Sequence, residues 1–322
     1  MDGMIQRMTC NKEHEVAVRD FLMRIEGRGL EMNSIIIRHE GDSLLEWFRD
    51  ESFRDRAQCV YSVSKSFTSL GIGLLIDENR IALEDKIAPF FQDKLPEKPL
   101  HPWVEALTVR HLLTMTTCFN HTTYKRIPGD DWVAGYFVDT PDRRPGESFC
   151  YETSASHVLA ALVERITGRS LISFLQDRFL SALGVEGAYY ETDPSGVSKG
   201  GSGLFIRPFD LVKTAELVMH KGKYRGKSLL PARYLEEAVA RQVDTAQKGA
   251  IREERYGYGY QFWRTGCNSF SFYGMGGQLA VCVPEKDLLL VTTGDVRNTP
   301  DQVQALFDAF WETVYEEDCH DL

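Results

Sequence analysis

Ser62-Val63-Ser64-Lys65 heads a run in which Phe67, Leu70, Ile72, Leu74, Leu75 and Ile76 leave hardly any polar face. A helix that is apolar nearly all round belongs in an interior. The sequence therefore predicts a buried helix that begins at Ser62 and ends at Asp77-Glu78-Asn79, with Cys59-Val60-Tyr61 as an extended lead-in. A serine and a lysine three residues apart share one helical face, so Lys65 can reach back to the Ser62 hydroxyl. Free N–H groups and the dipole at the helix N-terminus favour an oxyanion there. Burial lowers the pKa of a lysine and makes its amine a usable proton acceptor. The pair has the outline of an activated nucleophile. The same spacing also fits an N-cap serine followed by a solvated lysine, so the rest of the chain has to decide.

Working outward, Ser34-Ile35-Ile36-Ile37-Arg38-His39 and Ser43-Leu44-Leu45-Glu46-Trp47-Phe48 read as two strands, with Glu40-Gly41-Asp42 as a hairpin loop. Before them, residues 12–28 have helical spacing (Val16, Val18, Phe21, Leu22, Ile25) and stop at Gly27 and Gly29. After the buried helix the pattern is mostly helical to about Gly203. Residues 83–91 and 109–114 are short amphipathic pieces, and 154–167 and 170–183 are fuller helices, the former stopped by Gly168. Helices over 209–221 and 231–241 follow. Strand-like runs over 258–263, 269–273, 279–283 and 288–292 come next, and a helix over 300–315 closes the chain. Strands at both ends and helices in the middle predict an α/β (α+β) fold: one antiparallel sheet flanked by the N- and C-terminal helices, with a mostly helical domain inserted. The expected division is 1–78 with 204–322 for the α/β domain and 79–203 for the insertion.

Composition narrows the function. The 322 residues carry a net charge of −10 with no basic block, which argues against nucleic acid and anionic membranes as partners. Residues 1–15 lack the features of a secretory signal, and no stretch has the apolar length of a membrane span. The expectation is a cytoplasmic protein acting on a small molecule. Seven cysteines without a Cys-x-x-Cys pair fit reduced thiols better than a disulfide framework or a zinc site. The eight histidines show no metal-ligand spacing. Gly196-Val197-Ser198-Lys199-Gly200 matches a nucleophile-elbow pattern, but Asp193-Pro194-Ser195 ahead of it reads as a loop where that motif needs a strand.

Two further stretches bear on Ser62. Pro145-Gly146-Glu147-Ser148-Phe149-Cys150-Tyr151-Glu152-Thr153 makes a tight turn and then an extended segment that projects Tyr151 and Thr153 just before a helix. A phenol held near a lysine ammonium is expected to have a depressed pKa and to relay protons. Phe272-Tyr273-Gly274-Met275-Gly276-Gly277-Gln278-Leu279 places glycines where a backbone approaches a ligand closely. There the N–H of Gln278 can pair with that of Ser62 as an oxyanion hole.

Together these stretches resemble the serine β-lactamase and penicillin-binding-protein superfamily, in its class C-like branch of esterases, DD-peptidases and 6-aminohexanoate-dimer-hydrolase-like amidases. Ser62-Val63-Ser64-Lys65 is similar to the family's Ser-x-x-Lys box, the Tyr151 segment to its Tyr-x-Asn box, and Met275-Gly276-Gly277 to its Lys-Thr-Gly or His-x-Gly box. The likeness runs from about Ile35 to Asp295. It implies Ser62 as the acylated nucleophile, Lys65 and Tyr151 as the groups that share its proton, and the backbone N–H groups of Ser62 and Gln278 as the oxyanion hole. Thr153, Met275, Gly276 and Gly277 would contact substrate, and no metal or other cofactor is implied. Thr153 replaces the usual Asn, and Met275 the usual Lys or His. A hydroxyl cannot offer both an amide donor and a carbonyl acceptor, and a thioether holds no carboxylate. The resemblance so qualified favours a hydrolase of small esters or amides. β-lactamase or DD-peptidase-like activity, or a non-catalytic penicillin-binding-like sensor, are the alternatives.

Overall fold

A computed structural model of the chain describes residues 4, 8–10, 14–296 and 300–315. Its sheet is built from the two ends of the sequence: β1 (Thr9–Cys10), β2 (Met32–His39) and β3 (Asp42–Phe48) from the first, β4 (Trp263–Thr265), β5 (Ser269–Gly274), β6 (Gln278–Val283) and β7 (Leu288–Gly294) from the second. The order across the sheet is β1-β3-β2-β7-β6-β5-β4, and every pairing is antiparallel. β2 and β3 are joined by Glu40 and Gly41, both with positive φ (48° and 81°), the backbone that two-residue hairpins require. β2 and β7 pair over seven positions, Leu288↔His39 to Gly294↔Met32, and this seam joins the two halves of the chain.

Side chains alternate across such a sheet, and here each face has its own core. Ile35, Ile37, Leu279, Val281 and Leu290 pack with α1 (Glu15–Gly27) and with a C-terminal helix, residues 300–310, which Trp311–Tyr315 continues. Ile36, Ala280, Cys282 and Val291 join a larger cluster containing α2 (Val63–Asp77) and much of α3 (Thr153–Thr167). Every residue of α2 from Val63 to Leu75 is buried, as its unbroken apolar run requires. The fold class is that read from the sequence. Among the described residues no helix is long and apolar enough to cross a membrane.

Three local expectations are corrected. Residues 258–263 do not form a strand; only Trp263–Thr265 pairs in the sheet. Gln261 has φ 65°, and a Cβ at Gly259 would lie 2.0 Å from the Ala238 carbonyl oxygen. The segment turns inward, and its aromatic residues are buried in the helical core. Residues 83–91 are not an amphipathic helix: a 3-10 turn begins only at Ala88 (Ala88–Lys94). Ahead of it the backbone bonds to another segment, Ile87 N–H to Leu107 O and Val109 N–H to Asp85 O. Finally, Cys267 is disulfide-bonded, whereas Cys59, Cys118, Cys150 and Cys282 are free thiols. Spacing along a chain does not report which thiols meet in space.

The inward turn has a structural consequence. Gln261 is buried, and its amide nitrogen donates to the carbonyls of Leu112 (2.9 Å) and Leu113 (3.0 Å) while its oxygen accepts from the Ser156 hydroxyl. Its backbone carbonyl accepts from Ser66 Oγ at 2.8 Å. One residue thus ties α2 to α3. Gln261→Ala removes three buried side-chain hydrogen bonds and takes the acceptor from the Ser156 hydroxyl; it is expected to destabilise the protein by about 1–3 kcal/mol, read as a lower urea midpoint with an unchanged m-value.

Candidate active site

The turn before α2 is held in an unusual backbone. Tyr61, not a glycine, has φ 44°, a region that L-residues seldom occupy and that tends to persist where surroundings enforce it. The surroundings do so. Ser64 Oγ donates to Tyr61 O and accepts from Leu204 N–H at 3.0 Å, and the Tyr190 phenol donates to Ser64 O at 3.0 Å. Ser62 occupies the N-cap position, but its side chain makes no capping bond. Its hydroxyl instead accepts from Lys65 Nζ at 3.0 Å.

Lys65 is only 1% exposed. Its amine also reaches the Gly201 carbonyl at 2.7 Å and Thr153 Oγ1 at 3.4 Å, so all three hydrogen-bond partners are neutral oxygens. Burial pushes its pKa down from 10.5 to about 7, with Glu152 raising it and Lys125 lowering it further. Gly201 can come so near because it lacks a side chain. A Cβ there would stand 2.5 Å from Thr153 Cγ2, and one at Gly200 would stand 2.4 Å from Ala160 Cβ. The loop is held from below by His157 Nε2 on Asp193 (3.1 Å) and by Ser198 Oγ on Glu164 (2.6 Å). Ser198, the centre of the elbow-like pattern, is thus a buried structural hydroxyl.

Tyr151 lies at the same place. Lys65 Nζ is 4.9 Å from the centroid of its ring, and the ring stacks on Trp263 at 5.5 Å and 26°. The residue as a whole is 36% exposed, but desolvation around its phenol oxygen raises the pKa, and the neighbouring Ser62 hydroxyl opposes that only in part. This reverses the depressed value expected from the sequence. A lysine with a pKa near neutrality is too weakly charged to stabilise a phenolate, and burial then dominates.

The tail strand arrives by backbone contact. A Cβ at Gly274 would fall 2.4 Å from Val60 O and 3.2 Å from Val63 N, so the end of β5 lies directly against the turn that carries Ser62. Met275 follows, 46% exposed, and then Gly276 and Gly277 with φ 79° and 81°. The Gln278 side chain is buried and donates to Gly276 O (3.2 Å) and Gly294 O (2.6 Å); the residue pairs with Gly274 across the hairpin and, unlike Met275, is not among those lining the cleft beside Ser62. Ser62, Tyr151, Trp263 and Met275 line one open cleft of about 710 Å³, a size suited to a small organic molecule.

Sequence reading missed Glu152. It is buried at the N-cap of α3, accepts Ala155 N–H at 3.0 and 3.1 Å, and has its pKa raised from 4.5 to about 7, chiefly by burial. An acidic residue before a helix ordinarily reads as a cap, which it also is; its proximity to Lys65 comes only from folding.

The chain belongs to the beta-lactamase family, whose model matches residues 53–309. Similar solved structures include a provisionally assigned 6-aminohexanoate-dimer hydrolase from Bacillus anthracis (20% identity, TM-score 0.75, 90% of this chain and 80% of that one). A penicillin-binding protein homologue from Caulobacter crescentus is similar over 95% of this chain and 99% of that one (15% identity, TM-score 0.73). EstCE1, described as a hydrolase with promiscuous acyltransferase activity, is similar over 92% and 100% (16% identity, TM-score 0.70). At these identities the likeness is one of fold. A search of curated proteins returns no match.

The negative charge of Glu152 raises the Lys65 pKa. Glu152→Gln removes that negative charge, so Lys65 should lose its proton at lower pH. The expected result is that the acid limb of Ser62 labelling by a fluorophosphonate moves toward acid; a limb at the wild-type position would show that the two groups do not sense each other.

Proposed function

We propose that this protein is a serine hydrolase that acts through an acyl-enzyme on a small ester or amide. The observation that carries the reading is the Lys65 amine, buried among neutral oxygens and 3.0 Å from Ser62 Oγ. With a pKa of about 7, much of it is unprotonated at neutral pH and able to take the hydroxyl proton as Oγ bonds to the substrate carbonyl carbon. The resulting oxyanion would be held by the backbone N–H of Ser62 at the head of α2 and, in place of the Gln278 expected from the sequence, by that of Met275, which borders the same cleft. Tyr151, a protonated phenol with a raised pKa, is the donor to the departing oxygen or nitrogen, and the Lys65 ammonium restores the phenol's proton. Water then cleaves the acyl-Ser62 ester with the same groups acting in reverse.

Met275 brings no charge to the cleft, and Thr153 offers only a hydroxyl. Both features favour simple esters and amides over β-lactams. Family membership and the fold shared with proteins described as hydrolases support the reaction class.

Short-chain p-nitrophenyl esters should release a burst of nitrophenol, and intact mass should show one acyl group, lost in Ser62→Ala. Turnover should fall at least ~10³-fold in Ser62→Ala and in Lys65→Met, and ~10–10³-fold in Tyr151→Phe. Unchanged turnover in Ser62→Ala contradicts the proposal. Faster cleavage of a chromogenic cephalosporin than of any simple ester would transfer it to the β-lactamases, and a stable adduct without turnover to a binding protein.

A further inference from the structure

On α3, Thr153, His157, Ala160 and Glu164 recur at helical spacing and share one face. Residues 191–203 lie along that face. A Cβ at Gly201 would meet Thr153 Cγ2 at 2.5 Å and one at Gly200 the Ala160 Cβ at 2.4 Å, while Ser198 Oγ donates to Glu164 at 2.6 Å. The remaining residue of the face, His157, is buried and reaches Asp193 through Nε2 at 3.1 Å. At the tip of the loop the Gly201 carbonyl accepts from Lys65 Nζ and the Gly200 carbonyl from Thr68 Oγ1, both at 2.7 Å.

Asp193 is the corner of this loop. Its Oδ1 accepts from Ser195 Oγ (2.8 Å) and Val197 N–H (2.9 Å), leaving Oδ2 to His157. Burial opposes its ionisation, but the hydrogen bonds from His157, Val197 and Ser195 hold its pKa down to about 2. An ionised carboxylate only accepts, so Nε2 carries the imidazole proton. Nδ1 is buried and has no partner among the described residues. The rings of Trp132 and Tyr124 stand against the imidazole at 5.3 and 6.4 Å, and Lys199 Nζ lies 5.8 Å from the Trp132 centroid. A buried nitrogen without a partner is costly, and a leucine would pack against these rings without that cost. What a histidine adds here is its bond to Asp193. Backbone bonds then make the loop a stiff unit: Asp193 N–H to Val197 O, Lys199 N–H to Glu191 O and Glu191 N–H to Gly203 O, each at 2.8 Å. Displacing Asp193 therefore displaces Gly201.

We propose that His157 is a positioning residue: through Asp193 it fixes the Gly201 carbonyl against the Lys65 amine, and with it the readiness of that amine to take the Ser62 proton. This rests on Lys65 serving as the base for Ser62. Residues 191–203 contribute nothing to the lining of the cleft, so the effect falls on the base and not on substrate contacts. The charged groups that act on Lys65, Glu152 and Lys125, lie outside the loop and stay in place when it moves. Burial is the strongest influence on Lys65. A supporting shell that lets a catalytic group drift loosens the whole site; here a displaced loop lets water reach the amine, which favours the ammonium and raises its pKa.

The test follows the Lys65 ε-carbon by ¹³C NMR against pH in the wild type, His157→Leu, His157→Gln and Asp193→Asn. Loss of the donor in His157→Leu should raise the Lys65 midpoint by about 0.5–1 pH unit. Fluorophosphonate labelling of Ser62 at pH 6 should then slow by about three- to tenfold, with little change at pH 9. KM for a neutral p-nitrophenyl ester should stay within about twofold of wild type. His157→Gln places an amide nitrogen near the Nε2 position and should bring the midpoint back to within about 0.2 unit of wild type. Asp193→Asn removes the charge from the acceptor and should raise the midpoint in the same direction as His157→Leu. A lowered urea midpoint with Lys65 titrating as in the wild type, in both His157→Leu and Asp193→Asn, would make the bond a structural tie alone and overturn the proposal. Should His157→Leu fail to fold, Asp193→Asn decides by itself. If Ser62 takes no label in any variant, the hydrolase reading fails, and the Lys65 titration still decides the positioning.

Discussion

An amine shut away from water with only neutral oxygens around it is the constraint on which this site depends. A buried ammonium is costly, and such a group gives up its proton more readily than it would in water. Lys65 is held in that condition by the Gly201 carbonyl at 2.7 Å and placed against Ser62 at 3.0 Å. The arrangement requires a backbone oxygen, not a carboxylate, at hydrogen-bond distance. A carboxylate there would pull the lysine back toward its ordinary value. Glu152 supplies a weaker form of that pull, which its own raised pKa limits.

The surrounding fold can be understood as the means of holding three distant stretches around this amine. Ser62 sits at the head of a helix buried from Val63 to Leu75, its turn braced by Ser64, Leu204 and Tyr190. Tyr151 and Thr153 come from the start of α3, joined to α2 through Gln261. Met275 comes from the tail, where Gly274 lets a sheet strand touch the backbone of Val60 and Val63. Side chains cannot substitute at Gly200, Gly201 or Gly274 without moving backbone or packed neighbours, so the positions are fixed by sterics as much as by hydrogen bonds.

Much of the fold was legible because its signals are local. The alternation in 34–39 and 43–48, the turn between them and the unbroken apolar run after Lys65 each encode their element without help from elsewhere. Residues 258–263 misled, because buried aromatics at strand-like spacing also occur in a segment turned into a helical core, and only Gly259 hinted at the close approach. The three candidate stretches could be named from their residue types, but their mutual distances could not. The direction of the Tyr151 shift required knowing that Lys65 is buried deeply enough to lose charge. Glu152 gave no signal of its own, since an acidic cap acquires meaning only from what folding sets beside it.

The protonation state of Lys65 is the most direct point of attack. In protein labelled with ¹³C at the lysine ε-carbon, the Lys65 resonance can be assigned by its loss in Lys65→Arg and followed against pH. A titration centred near pH 7 is expected. A resonance that stays in the ammonium position through pH 9 would contradict it, and Ser62 would then have no base beside it.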